Sequence, residues 1–131
     1  MAEYFENVKG FVVDMGYAIT DENSTEQLVV INNEERGIKN LIIDCEDPIV
    51  VLEQIIMKVP KNPGELYKRL LQMNRTLVHG AFVLDETGET ILFRDTLCLE
   101  NLDRNELEGS IEALSLALAE NAEELLASAK A

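Results

Sequence analysis

The feature of this sequence that most constrains its fold is a series of three apolar runs separated only by short polar turns. The runs cover Gln27–Asn33, Ile38–Cys45 and Ile49–Val59, and they are rich in valine and isoleucine. β-Branched residues favour strands. Gly37, a residue type that tolerates positive φ, supplies a turn between the first two runs. Because strands joined by such short links pair as antiparallel neighbours, the sequence predicts an antiparallel sheet.

The third run is apolar on both faces of an extended strand. Val51, Ile55 and Met57 lie on one face. Leu52 and Ile56 lie on the other. A strand of this kind needs cover on both faces, which predicts a helix on one side and makes a partner a candidate for the other.

Apolar residues at helical spacing predict a first helix over Tyr4–Met15, with Gly16 as its C-terminal stop. A second helix is predicted to end near Thr76. Asn62 is expected to serve as its N-cap, and Pro63 to occupy its first helical position. These signals place one helix before the three strands and one after them.

The remaining chain predicts a hairpin and a final helix. Gly80–Leu84 and Thr90–Leu99 read as strands, and Gly88 stands at a left-handed position of the loop between them. Asp103 and Glu106 form an Asp-x-x-Glu capping box that opens the last helix. The predicted class is therefore α+β, with an antiparallel sheet of about five strands, three helices and the order α-β-β-β-α-β-β-α.

The length and the net charge of the chain restrict the functions that it can have. The 131 residues, 47% of them hydrophobic, predict a single domain over 1–131. The net charge of −14 argues against nucleic acid and against anionic membranes. Basic or apolar polypeptides are the expected partners, although an acidic surface also serves solubility alone. The N-terminus lacks the build of a signal peptide, and no apolar run approaches the roughly 20 residues of a membrane span, which predicts a cytoplasmic protein.

Residues that carry catalytic chemistry are sparse in this sequence. His79 is a lone histidine, interpreted as a strand-entry residue near solvent. Cys45 and Cys98 belong to no metal or redox motif, and both are expected to be buried, reduced thiols. No nucleotide-binding glycine loop occurs. The sequence therefore predicts no enzyme, no cofactor and no metal site.

The stretch from Leu70 to Leu126 resembles the class I chaperones of type III secretion and the related YbjN-like proteins. Leu70–Asn74 is similar to the family's Leu-Leu-x-x-Asn motif at the end of its second helix, and Gly80–Glu86 is similar to the strand that follows. Gly88–Phe93 and Leu97–Leu99 resemble the returning strand of the hairpin. The order of elements, the length and the acidity agree over the whole chain.

The resemblance implies an ATP-independent, chaperone-like protein that holds a non-globular segment of a partner polypeptide and forms a homodimer. The implied contacts to the partner are Phe5, Val8, Phe11, Leu28 and Val30. The implied dimer contacts are Leu66, Tyr67 and Leu70. The alternative, from the YbjN-like branch, is a regulatory or structural interaction domain that binds a folded partner and has no chaperone activity.

Overall fold

The computed structural model describes residues 2–130 and confirms the α+β class, the three helices and the antiparallel sheet. It adds one strand to the expected five. The elements, in chain order, are α1 (Ala2–Asp14), β1 (Ala18–Asn23), β2 (Leu28–Asn33), a 3-10 helix (Glu34–Arg36), β3 (Ile38–Glu46), β4 (Ile49–Lys58), α2 (Leu66–Asn74), β5 (Ala81–Leu84), β6 (Thr90–Cys98) and α3 (Arg104–Ala129).

The six strands form one sheet in the order β1-β2-β3-β4-β6-β5, and every neighbouring pair is antiparallel. The added strand, β1, lies at one edge. Its segment is mostly polar, with Asp21 and Glu22 near its centre, because an edge strand outside the main core needs few apolar residues. The apolar alternation that predicted the other strands is therefore weak in β1.

All three helices pack on one face of the sheet. The larger core joins α1 and α3 to the central strands; its members include Phe5, Val8, Val12, Val29, Ile31, Ile43, Leu52, Phe93, Leu107, Ile111 and Leu114. A smaller core joins α2 to β5, β6 and α3; its members are Leu66, Leu70, Met73, Phe82, Ile91, Ala117 and Leu125. The structure thus has two layers, and the second face of the sheet lies opposite the helices.

Two of the predicted helix boundaries are confirmed. After α1, Gly16 has φ +91°, the Gly16 N–H donates to Val13 C=O (3.0 Å) and the Tyr17 N–H donates to Val12 C=O (3.2 Å). This pair of bonds is a Schellman motif, which satisfies carbonyls at the helix end. At the start of α3, Asp103 and Glu106 form the expected reciprocal capping box.

The predicted start of α2 was wrong. The helix begins at Leu66 rather than at Pro63, and Asn62 is not its N-cap. Gly64 adopts φ +54°, a left-handed conformation that interrupts a continuous right-handed helix. The Leu66 N–H instead donates to the Pro63 carbonyl in a turn (2.9 Å).

The two cysteines differ in environment. Cys45 is buried as expected, and burial, helped by the neighbouring Asp44 charge, raises the pKa of its thiol to about 11. Cys98 is exposed, which corrects the prediction that it is buried. It lies at the end of β6, where the alternation of the strand directs it away from the helix-covered face between buried Leu99 and half-buried Leu97.

Candidate polypeptide-binding site

The face of the sheet opposite the helices carries apolar side chains from four strands. The strand register places Val30 of β2 beside Ile42 of β3, and Ile55 of β4 beside Leu92 of β6. Ile42 is exposed, and 69% of the Ile55 surface is accessible. Apolar side chains aligned across neighbouring strands make a continuous surface rather than scattered exposed residues.

These side chains line a groove of about 930 Å³. Its apolar walls come from Val30, Ile42, Ile55, Ile56 and Leu92. Its charged lining residues are Asp21, Lys39, Glu53 and Asp85. Three of these four charges are negative, so the groove combines an apolar floor with a mainly acidic rim.

The sheet opens between β3 and β4 along this groove. The register of the two strands ends at the pair Ile42↔Glu53, whereas β4 continues to Lys58. Asn40 has φ +51°, which bends β3 away from the extended conformation. The β4 segment 55–58 is consequently paired with β6 on one side only, within the described residues.

The amide of Gln54 spans the point where the two strands separate. Its Nε2 donates to the Gly37 carbonyl (3.1 Å), and its Oε1 accepts from the Lys39 N–H (3.0 Å). The side chain is 4% exposed. The Gln54 side chain therefore takes the place of main-chain hydrogen bonds between the two strands. It holds β3 beside β4 at the point where their direct pairing ends.

A bulge in β4 decides which residues face the groove. The register with β6 shifts between Ile55 and Met57. Ile55 remains on the open face, whereas Met57 packs with the α2 core, so the prediction that Met57 shares a face with Ile55 was wrong. The extra residue of a bulge changes the alternation of faces beyond it, and a period-2 pattern contains no sign of this change.

The two outer edges of the sheet differ from the β4 segment. At the β5 edge, the Asn74 side chain bonds both backbone groups of Phe82: its Nδ2 donates to the carbonyl (3.1 Å) and its Oδ1 accepts from the N–H (2.7 Å). The β1 edge carries a bulge between Ile19 and Asp21 and is acidic. Such features discourage strand addition. The β4 segment 55–58 has no acidic residue, and among the described residues no side chain bonds its backbone as Asn74 bonds that of Phe82.

The carboxylate of Asp44 lies on the open face beside Val51. Partial burial raises its pKa, and the neighbouring carboxylates of Glu46, Glu26 and Glu53 raise it further. Glu53 also pairs with Arg94 across β4 and β6. This part of the face is therefore short of positive charge.

Replacing Asp44 with asparagine is expected to stabilise the protein at neutral pH. A carboxyl whose folded pKa is raised costs stability above that pKa, and the cost vanishes below the unfolded pKa, where both states are protonated. The thermal midpoint of Asp44→Asn should exceed that of the parent at pH 7 and converge with it as the pH falls through 3.8. A constant difference across this range would contradict the electrostatic explanation.

The whole chain, residues 1–131, matches the model of the CesT_Tir_1 family, a type III chaperone family. The chain belongs to this family. No match was found among curated proteins. Within residues 2–130, no helix of the family member is both long and apolar enough to cross a membrane.

Solved structures share the fold of this CesT_Tir_1 member. YbjN from E. coli superposes with a TM-score of 0.71 at 15% identity, covering 92% of each chain. An uncharacterised protein from Methanothermobacter thermautotrophicus gives 0.68 at 15% identity, covering 96% of this chain and 99% of its own. The structure of the HopA1–SchA chaperone–effector complex gives 0.61 at 12% identity, covering 99% and 96%.

The structure separates the predicted partner contacts of the CesT_Tir_1 member into two groups. Phe5 and Val8 are buried in the larger core, and Phe11 is half-buried against it. Leu28 and Val30 are half-buried on the open face, where Val30 lines the groove. The structure thus brings Val30 to the groove, places Leu28 on the same open face, and keeps the α1 residues in or against the core.

The predicted dimer contacts also divide. Leu66 and Leu70 lie in the smaller core, and Tyr67 is exposed. Leu71, missed from the sequence, is 71% exposed one helical turn after Tyr67. The sequence did contain a sign that one of these leucines is exposed, because a helix cannot bury the adjacent Leu70 and Leu71 against one surface. The groove residues Ile42 and Leu92 were missed as well, although the two-sided apolar pattern of β4 predicted a second covered face.

Proposed function

We propose that this protein is an ATP-independent chaperone-like protein that holds a non-globular segment of a partner polypeptide. The observation that carries the proposal is the half-paired segment 55–58 of β4 beside the apolar groove. Family membership supports it. The similar chain SchA belongs to a chaperone–effector complex. SycH of Yersinia pestis, with a TM-score of 0.53 at 12% identity, is a type III secretion chaperone in complex with a fragment of YscM2. Each of the two alignments covers at least 95% of both chains.

An extended segment would bind by two kinds of contact. Its main chain would form hydrogen bonds with the unpaired side of β4, and alternate side chains would pack on Ile42, Ile55 and Leu92. The acidic rim would speed the approach of a basic segment and would do so less at high salt. Neither contact requires nucleotide hydrolysis.

The proposed functional unit is a homodimer. Tyr67 and Leu71 lie one turn apart on the outer side of α2, whose inner side packs in the smaller core. Two exposed apolar side chains one helical turn apart suit contact with the same face of a second copy.

Leu71→Lys is expected to convert a dimer into a monomer, as measured by light scattering after size exclusion. A parent protein that is already monomeric would contradict the proposed dimer.

Ile55→Asp is expected to weaken binding of an extended peptide by about tenfold or more, because a charged group would then be buried against the peptide's apolar side chains. The measurement is fluorescence anisotropy of labelled peptides in which apolar residues alternate with lysine or arginine. ATP should not change the affinity. A peptide with proline at alternate positions should bind less well, because proline removes main-chain donors.

Val13→Asp is the matched control for this experiment. Val13 lies on α1 outside the groove, is 61% exposed, and its substitution changes the net charge by the same amount. Binding should survive in this variant. If Val13→Asp abolished binding and Ile55→Asp did not, the client surface would be α1 rather than the open sheet face.

The second candidate function is a regulatory domain that binds a folded partner. It is favoured by the similarity to YbjN, which is described as a candidate transcription regulator. Hydrogen exchange of the partner distinguishes the two functions. A chaperoned segment should exchange its amides rapidly outside the few that pair with β4, whereas a folded partner would keep its own protected core.

A further inference from the structure

We infer a second polypeptide-binding site in the helix layer, for an apolar segment that carries lysine or arginine and belongs to a protein other than the client. The site is a cleft of about 290 Å³ between α3 and the loop that joins α2 to β5. The groove proposed for the client lies on the opposite face of the sheet. The two sites therefore share no lining residue.

The walls of the cleft expose two large apolar side chains. Val78 of the loop is 83% exposed, and Leu116 of α3 is 57% exposed. Leu77, Ala113 and Ala117 lie between them and are half-buried or buried. Apolar side chains on both walls of a concave site can enclose an inserted side chain, which a single exposed leucine on a flat surface cannot do.

The carboxylates of the cleft are arranged around Leu116. Glu112 and Glu120 precede and follow it by one helical turn, so the three share one face of α3. Among the described residues, neither glutamate takes part in an ion pair or a side-chain hydrogen bond. The hydrogen bond to the Tyr17 hydroxyl is the main cause of the raised pKa of Arg36, and the nearby Glu112 charge raises it further without forming an ion pair.

The loop that joins α2 to β5 lies against α3 at Gly109. A Cβ at Gly109 would lie 3.3 Å from the Nε2 of His79. The imidazole consequently rests on the helix backbone at one end of the cleft, and Val78 extends into solvent beside it. A side chain at residue 109 would displace the imidazole by a few tenths of an ångström.

Lysine and arginine match these features. Their aliphatic stems pack on apolar walls while the charged head remains at the surface, where it would meet Glu112 and Glu120. A second copy of this chain is a poor occupant of this cleft, because only 11 of its residues are lysine or arginine and four of these, Lys9, Arg69, Arg94 and Arg104, already pair with its own carboxylates. The occupant is a basic amphipathic segment of another protein, so a client-loaded protein keeps a separate docking surface for it.

The test is a titration of the 131-residue protein with a short synthetic peptide whose leucines and arginines are spaced three and four residues apart, unlike the alternating residues of the client peptides, followed by amide chemical shifts. Shift changes should concentrate at Val78, His79, Gly109 and Leu116. The double variant Glu112→Gln/Glu120→Gln should weaken binding by about tenfold. Ile55→Asp should leave it unchanged, which separates this site from the client groove.

The matched control is Glu100→Gln/Glu123→Gln, which removes the same charge from two exposed glutamates outside the cleft. Equal weakening by the two double variants would overturn the site, because binding would then follow net charge alone. Shift changes confined to Ile42, Ile55 and Leu92 would overturn it too, because the peptide would then be bound as a client. Circular dichroism checks that each variant is folded.

Discussion

Gly80→Ala is expected to destabilise the protein by about 2–5 kcal/mol. Gly80 has φ +72°, where an L residue costs roughly 1–2 kcal/mol. A Cβ there would also lie 2.9 Å from Cε1 and from Cε2 of Phe93, and closer still to its Cζ. Overpacking a core of this kind typically costs a further ~1–3 kcal/mol.

The Phe93 ring has little freedom to give way. It is 1% exposed in the larger core, and Phe82 packs edge-on against it with ring centroids 6.4 Å apart. Moving the ring would disturb both the β5–β6 pairing and the contacts of the core with α3. The clash is therefore expected to reduce stability throughout the domain rather than only in the loop.

Gly88→Ala separates the cost of the left-handed backbone conformation from the cost of the clash with Phe93. Gly88 has φ +75°, and nothing lies within 4 Å of its added Cβ, so only the backbone cost of roughly 1–2 kcal/mol applies. Urea unfolding of both variants measures the difference. If the two variants lost the same free energy of unfolding, Phe93 would have to shift without cost. The packing argument for Gly80 would then fail.

The sequence predicted the elements whose apolar periodicity is strong. The runs that became β2, β3 and β4 were identified because burial imposes that periodicity. It missed β1, which is largely exposed, and it placed the start of α2 too early. There the capping residues Asn62 and Pro63 were present, but the left-handed backbone of Gly64 prevented the helix from starting.

The candidate site was only partly predictable. The two apolar faces of β4 predicted that something covers the open face, and this is where the groove lies. The sequence could not show the bulge after Ile55 or the bend at Asn40, since both depend on how neighbouring strands diverge. Nor could it show that Phe5 and Val8 are buried, because a stripe of apolar residues looks the same whether a core or a partner covers it.

Gln54→Leu is expected to destabilise the protein by about 2–4 kcal/mol. Leucine has a similar size, but it would leave the Gly37 carbonyl and the Lys39 N–H without their partner. Each buried group left unsatisfied costs roughly 1–3 kcal/mol, reduced where water can enter the gap beside β4. Asn74→Leu should cost less, because it frees the Phe82 backbone groups at the sheet edge, where water has better access.

Hydrogen exchange tests the role of Gln54 as a replacement for main-chain pairing. The Lys39 amide donates only to this side chain among its described contacts, so its protection should fall sharply in Gln54→Leu. The Leu41 and Ile43 amides, which like that of Cys45 point toward β2, should retain most of theirs until global unfolding. Unchanged protection at Lys39 would show that β3 stays beside β4 without the bridge. A selective loss there would identify Gln54 as the residue that limits how far the sheet opens beside the proposed client groove.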